Sequence, residues 1–225
     1  MTLTKTIGDF VGDAAMGFWG WPKIGSASRD LTEAVKAASK AADILRERLR
    51  QKARGSGPLA GFACGMGIAA GEVVAGMLGT GDQRKIGVFG PVVNLAARLE
   101  SMTKQLGVSI VIDQTTAKLL VRSETALQQQ VRYLANVLPV GMEQPVKVYE
   151  LMPPEADSER LSRPNLNLFE QGQQEFERGN WSEARRFLER LVSLNDGPSR
   201  FLLEYMNAQQ SPPADFSGVV ALVRK

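Results

Sequence analysis

Four side chains in this sequence have the types and spacing to meet a phosphorylated substrate. In VFGPVVNLAARLES, residues 88–101, Asn94 and Arg98 lie four apart in what reads as a helix, so they share one face. An amide and a guanidinium aimed together suit a ribose oxygen and a phosphate. On these residues alone, a solvated helix face explains them as well. In GDFVGDAAMGFWGWP, residues 8–22, two Gly-Asp steps place Asp9 and Asp13 four apart. Such a stretch is either a loop that holds a metal or phosphate, or a tight turn in which Gly supplies a positive φ.

Several other chemistries are excluded. The chain has no histidine, so Ser-His-Asp and Cys-His catalysis, His-ligated zinc and a histidine base are absent. Catalysis must use carboxylates, basic side chains, hydroxyls or an oxygen-ligated metal. The single cysteine, Cys64, sits in the apolar run FACGMG and reads as a small core residue. GMGIAAG, residues 65–71, has the wrong glycine spacing for a dinucleotide fingerprint and reads as close strand packing. No phosphate-binding G-x-x-x-x-G-K-[ST] loop is present. A net charge of +3, from 27 basic and 24 acidic residues with no dense basic block, gives no case for nucleic acid. No apolar run reaches membrane-span length and the first residues lack a signal-peptide pattern, so a cytoplasmic protein is expected.

The elements that must position these residues are legible from periodicity. Residues 3–7 and 14–19 read as strands around GDFVGD. Asp30 with Glu33 reads as a capping box. Leu31, Ala34, Val35, Ala38, Ala42, Leu45 and Leu49 then recur at helical spacing, and GSGP at 55–58 ends that helix. Residues 59–69 and 72–79 read as buried strands and 86–90 as a short strand. Pro91 opens a helix with Val92, Leu95, Ala96, Leu99 and Met102 on its apolar stripe. Strand 109–113, a short helix capped by Asp113, and two strands joined by GMEQ follow. The order β β α β β β α β α β β predicts a mixed sheet with packed helices, α+β or α/β. Residues 153–165 read as a linker. Residues 166–225 then turn helical, with Asn180 and Glu183 as another capping pair and Trp181, Ala184, Phe187, Leu188 and Leu191 on one face. This resembles a single tetratricopeptide-type hairpin. One such repeat cannot bury its own face, so it should dock on the main domain or on a protein partner.

The motifs VGDAAMGFWGWP, GMGIAAGEVVAGMLG and GPVVNLAARLES, in this order, closely resemble the catalytic domain of class III adenylate and guanylate cyclases. The resemblance runs from residue 3 to about 152 and includes SIVIDQTTAKLL and the closing VKVYELMPP. It implies an α+β, ferredoxin-like nucleotide cyclase fold that works as a head-to-tail dimer, a homodimer or a heterodimer with another cyclase domain. It implies ATP or GTP as substrate, with two Mg²⁺ or Mn²⁺ ions. The 3′-hydroxyl would attack the α-phosphate to give a cyclic nucleotide, for signalling, and pyrophosphate. By the same resemblance Asp13 matches a metal aspartate, Asn94 the residue that orients the ribose, and Arg98 the one that stabilises the transition state.

Three departures from the family pattern matter. The first metal aspartate belongs to an opening strand that the family carries some 40 to 50 residues earlier. Met1 is only twelve residues before Asp13, so an upstream segment is expected, one that could anchor a longer form to a membrane. The two base-reading positions hold Asp9 and Gly87. Neither settles adenine against guanine, and cAMP is expected over cGMP. The closing turn LPVGMEQ lacks the family's lysines, leaving Arg84, Lys85 and Lys147 as nearby charges. The alternatives are therefore a catalytically impaired regulatory or dimerisation domain, and a chain that lends Asn94 and Arg98 to a partner holding both metal aspartates.

Overall fold

Strand β6 (Ile110–Asp113) shows how the layers form. All four of its residues are buried; Ile110 and Ile112 enter one apolar cluster and Val111 the other. That is the two-residue period of a strand covered on both faces. In this computed structural model residues 5–21, 27–80, 85–123, 130–153 and 159–222 are described, with backbone alone for 5–11, 27–30 and 85.

The central sheet is mixed, in the order β3 (Met66–Ile68), β6, β8 (Val146–Leu151), β7 (Val131–Leu138), β9 (Val219–Ala221). β3 is parallel to β6 and β9 to β7; β8 runs antiparallel to both its neighbours. Helices α1 (Ala27–Arg54) and α3 (Gln114–Arg122) cover one face through Val35, Ala117 and Leu120. Helix α2 (Pro91–Leu106) covers the other with Leu99, Met102 and Leu106. Two hairpins stand as separate ribbons: β1 (Lys5–Val11) with β2 (Ala14–Trp19), and β4 (Val74–Leu78) with β5 (Lys85–Phe89). The fold is α+β, and its element order follows the expected one through β8.

The differences have local reasons. The first turn is only Gly12-Asp13, because β1 pairs with β2 as far as Val11↔Ala14; Gly12 has φ 62°, as a two-residue hairpin loop requires. Of residues 59–69 only Met66–Ile68 form a strand. Residues 72–79 are not a buried strand, since β4 pairs with β5 alone and Val74, Met77 and Phe89 stay exposed. Helix α1 starts at Ala27, so Asp30 lies inside it rather than capping it. Asp113 does cap α3, accepting from Thr115 and Thr116 backbone N–H at 3.2 and 3.0 Å. Cys64 is half-buried rather than a core residue.

Beyond β8 come a 3₁₀ turn (Glu159–Leu161) and helices α4 (Arg163–Glu177), α5 (Trp181–Val192) and α6 (Gly197–Gln209). Trp181, Ala184, Leu188 and Leu191 are buried as expected, while Phe187 is partly exposed. Asn180 occupies the N-cap position, yet its amide donates to Glu175 at 2.7 Å and makes no cap bond. The helices share one apolar core with α2 and the sheet. Two devices hold them there. Gly107 and Gly197 put the end of α2 against the start of α6, where a Cβ on Gly107 would lie 2.7 Å from Gly197 Cα. Arg132 on β7 donates to both Asp196 oxygens, at 2.8 and 2.9 Å, and Arg160 bridges Asp196 and Glu150 at 3.1 and 3.2 Å. Arg132, Glu150 and Asp196 are all buried. Burial alone would raise the Asp196 carboxyl; the hydrogen bond and charge of Arg132, with Ser199 and Arg160, outweigh it and hold the group below its ordinary value.

Candidate functional site

The placement of α2 decides the site. Gly90 precedes it with φ 152°, a backbone that side-chain-bearing residues rarely adopt, and Pro91 takes the first helical turn. The helix then crosses β3 closely. A Cβ on Gly67 would fall well inside contact distance of Ala96 O and Glu100 N, and 3.0 Å from Leu99 Cβ. The second glycine of GMGIAAG therefore serves backbone packing, as its spacing suggested. With Leu99, Met102, Thr103 and Leu106 buried against the sheet, Asn94 is left exposed on the outer face.

Arg98, one turn further on, is partly buried and reaches across to the turn that joins β7 to β8. Its Nη1 donates to Val140 O and its Nη2 to Gly141 O at 3.4 Å. Gly141 has φ 73°, and a Cβ there would sit 3.6 Å from both terminal guanidinium nitrogens. The turn thus aims the guanidinium through carbonyls, with no lysine of its own. A small cavity of about 140 Å³ opens beside it, lined by Arg98, Met102, Gln105, Pro139, Val140 and Leu222. It is below the ~300–1,000 Å³ of a typical ligand pocket.

The remaining residues lie on the hairpins. Asp13 is exposed at the β1–β2 turn and has no hydrogen-bond or ion-pair partner among the described residues. β1 packs beside β5, which brings the strand of Asp9 next to the strand of Gly87. Asp9 pairs with Met16 just after a bulge at Gly8. Gly87 pairs with Gly76, and a side chain there would collide with Leu78 and come within 2.9 Å of Phe89. Of the nearby charges, Arg84 lies outside the described residues, Lys85 is described in backbone only, and Lys147 sits over the Tyr133 ring at 5.8 Å. Asp113 has its carboxylate occupied by the α3 cap and by Ala70 N–H at 3.3 Å. Among the described residues no three or more His, Cys, Asp or Glu side chains cluster as a metal site, and no helix is long and apolar enough to cross a membrane. Sequence reading missed the Val140 and Gly141 carbonyls, because backbone acceptors leave no residue-type signal, though the glycine at 141 marked a turn.

The chain belongs to the adenylate and guanylate cyclase catalytic domain family, whose model matches residues 5–152. It is 26% identical over 144 residues to the terminal-differentiation-specific adenylate cyclase of Dictyostelium discoideum, a match covering 62% of this chain and 7% of that protein. Its structure is similar to a bacterial light-regulated adenylyl cyclase, with TM-score 0.50, 22% identity, and coverage of 64% of this chain and 38% of that one. The P. aeruginosa adenylyl cyclase CyaB gives TM-score 0.46 and 28% identity over 68% of this chain and 74% of that one. A guanylyl cyclase gives 0.48 and 27% over 69% and 73%. The chain thus spans a small part of its curated relative and about two fifths of the light-regulated enzyme.

Proposed function

We propose that this chain is a nucleotidyl cyclase domain for cyclic-nucleotide signalling. It joins the 3′-oxygen of a nucleoside triphosphate to the α-phosphorus, breaks the bond to the leaving pyrophosphate, and releases the 3′-proton to water. The observation that carries this reading is Asn94 and Arg98 on one face of α2, with Arg98 seated on the Val140 and Gly141 carbonyls. A guanidinium has five N–H donors. Two are held by the turn, which fixes its plane, and the others, without a partner among the described residues, can meet phosphate oxygens. Fixed donors aimed where charge develops are the largest single source of catalysis in such sites. Asn94 offers both a donor and an acceptor to the ribose oxygens.

Asp13 fits a share in a metal site. Mg²⁺ is commonly held by one or two carboxylates together with substrate phosphates, and Asp13 is an exposed carboxylate with no described partner. It suits one Mg²⁺ or Mn²⁺ with the triphosphate and does not make a two-ion site alone. Bound there, the metal would neutralise phosphate charge. The base would lie at the Asp9 and Gly87 strands. Preference for ATP, and so cAMP, draws support from the curated relative being an adenylate cyclase. A second cyclase chain, identical or homologous, would complete the site. Exposed Val74, Met77, Leu78 and Phe89 on the β4–β5 ribbon supply an apolar surface for it. We read residues 1–152 as this catalytic unit, with 153–165 joining it to the helical segment 166–225.

One observation favours a rival reading, a catalytically impaired regulatory or dimerisation domain: among the described residues Asp13 belongs to no cluster of three or more His, Cys, Asp or Glu side chains that could hold a metal. Incubation with Mn²⁺ and ATP or GTP, alone and with a complete homologous cyclase domain, decides between them. Cyclic nucleotide formed by the wild type and lowered about a hundredfold or more in Arg98→Ala supports the enzyme. No product in any mixture supports the regulatory domain.

A further inference from the structure

The last described residues of the chain end beside Arg98. β9 runs parallel to β7 with Asn136↔Val219, Val137↔Val220 and Leu138↔Ala221 in register. It travels in the same direction as β7 and therefore arrives at the β7–β8 turn. There the Leu222 backbone N–H donates to Leu138 O at 3.0 Å, two residues before the carbonyl that takes Arg98 Nη1. The Leu222 side chain lines the same small cavity as Arg98, Pro139 and Val140. Val220, behind it, is buried in the core shared with α2.

β9 is itself held by the helical segment. Phe216 packs edge-on against Phe176 and Trp181 at 5.4 and 5.2 Å between ring centres. Gly218, at φ 77°, passes so close to the end of α4 that a Cβ would lie 3.1 Å from Glu177 O. A continuous set of contacts thus leads from the α4–α5 hairpin through β9 to the carbonyls that orient Arg98. Without β9, β7 would be an edge strand at its last pairs, free to fray into the turn.

We propose that Val219–Leu222 is a positioning element for Arg98, and that the helical segment acts on the reaction by bracing the β7–β8 turn. The inference rests on Arg98 serving the reaction proposed above. A misplacement of about 1 Å at a reacting group costs roughly a hundredfold in rate, so partial loosening of the turn should cost about tenfold.

The test uses the full chain, with the homologous cyclase domain if that is what yields activity. Leu222→Pro removes the N–H that bonds Leu138 O; Leu222→Ala keeps it and empties the cavity wall; Leu222→Met keeps both. Leu222→Pro is expected to speed amide exchange at residues 140–142, and exchange of the Arg98 guanidinium protons, by about tenfold or more. It should lower kcat about tenfold with KM changed less than about twofold. Leu222→Ala should fall between, and Leu222→Met should match wild type. In an Arg98→Ala background Leu222→Pro should change the residual rate less than about twofold. Faster exchange with unchanged kcat, a further loss in the Arg98→Ala background, or unchanged exchange each overturns the proposal. If no preparation is active, the cyclase reading fails, and the Arg98 proton exchange alone decides the brace. If Leu222→Pro does not fold, Leu222→Ala carries the same comparisons.

Discussion

Gly67→Ala tests whether α2 is placed by a backbone contact. The added methyl would lie 3.0 Å from Leu99 Cβ and closer still to Ala96 O and Glu100 N, both rigid backbone atoms. Ordinary contact begins near 3.4 Å. Side-chain rotation cannot relieve the clash, so the helix must retreat from β3 by about 1 Å or the strand must bend. Residues 96 and 100 flank Arg98, so its guanidinium would move off the Val140 and Gly141 carbonyls. Overpacking of this kind costs about 1–3 kcal/mol, which for a chain of this size lowers Tm by about 2–12 °C. The same shift would lower kcat roughly a hundredfold. Gly57→Ala, in the exposed turn after α1 where a Cβ meets nothing within 4 Å, is the control and should leave Tm and rate nearly unchanged. Thermal melting and a cyclic-nucleotide assay read both quantities. Gly67→Ala with wild-type Tm and wild-type kcat would refute the reasoning.

Other expectations concern the docked helices. Arg132→Ala takes from buried Asp196 its bidentate cation and from buried Glu150 one of its two arginines, and should cost about 3–5 kcal/mol in denaturant unfolding. The Asp196 carboxyl is held below its ordinary 3.8, so the stability it contributes is full above that value and is lost as pH falls through the depressed folded-state value. Asp196→Asn should flatten the acid limb of the stability-against-pH curve; an unchanged limb would count against the network. Burial, then the 2.6 Å bond to Glu177, raises the Tyr133 hydroxyl, which stays protonated and donating at neutral pH. Tyr133→Phe should cost about 1 kcal/mol by the same unfolding measurement. Gly197→Ala would place a methyl 2.6 Å from Gly107 Cα, and should speed amide exchange in α6 well before global unfolding.

Residue types and spacing alone were enough for the order of elements through β8, the opening of α2 at Pro91 and the Asp113 cap, because periodicity and caps are local properties of the chain. They also put Asn94 and Arg98 on one helix face and Asp13 in a turn. Tertiary structure decided the rest. The β4–β5 ribbon left the main sheet with its apolar residues exposed, since a strand's burial depends on what pairs with it and not on its composition. Asn180 gave up its cap bond for Glu175, a neighbour across the turn before α5. β9 had no signature in three residues, Val219–Ala221, because its strand character comes from the edge of β7. The seat of Arg98 was the least legible feature. It is made by two backbone carbonyls more than forty residues away, and carbonyl groups are the same in every residue.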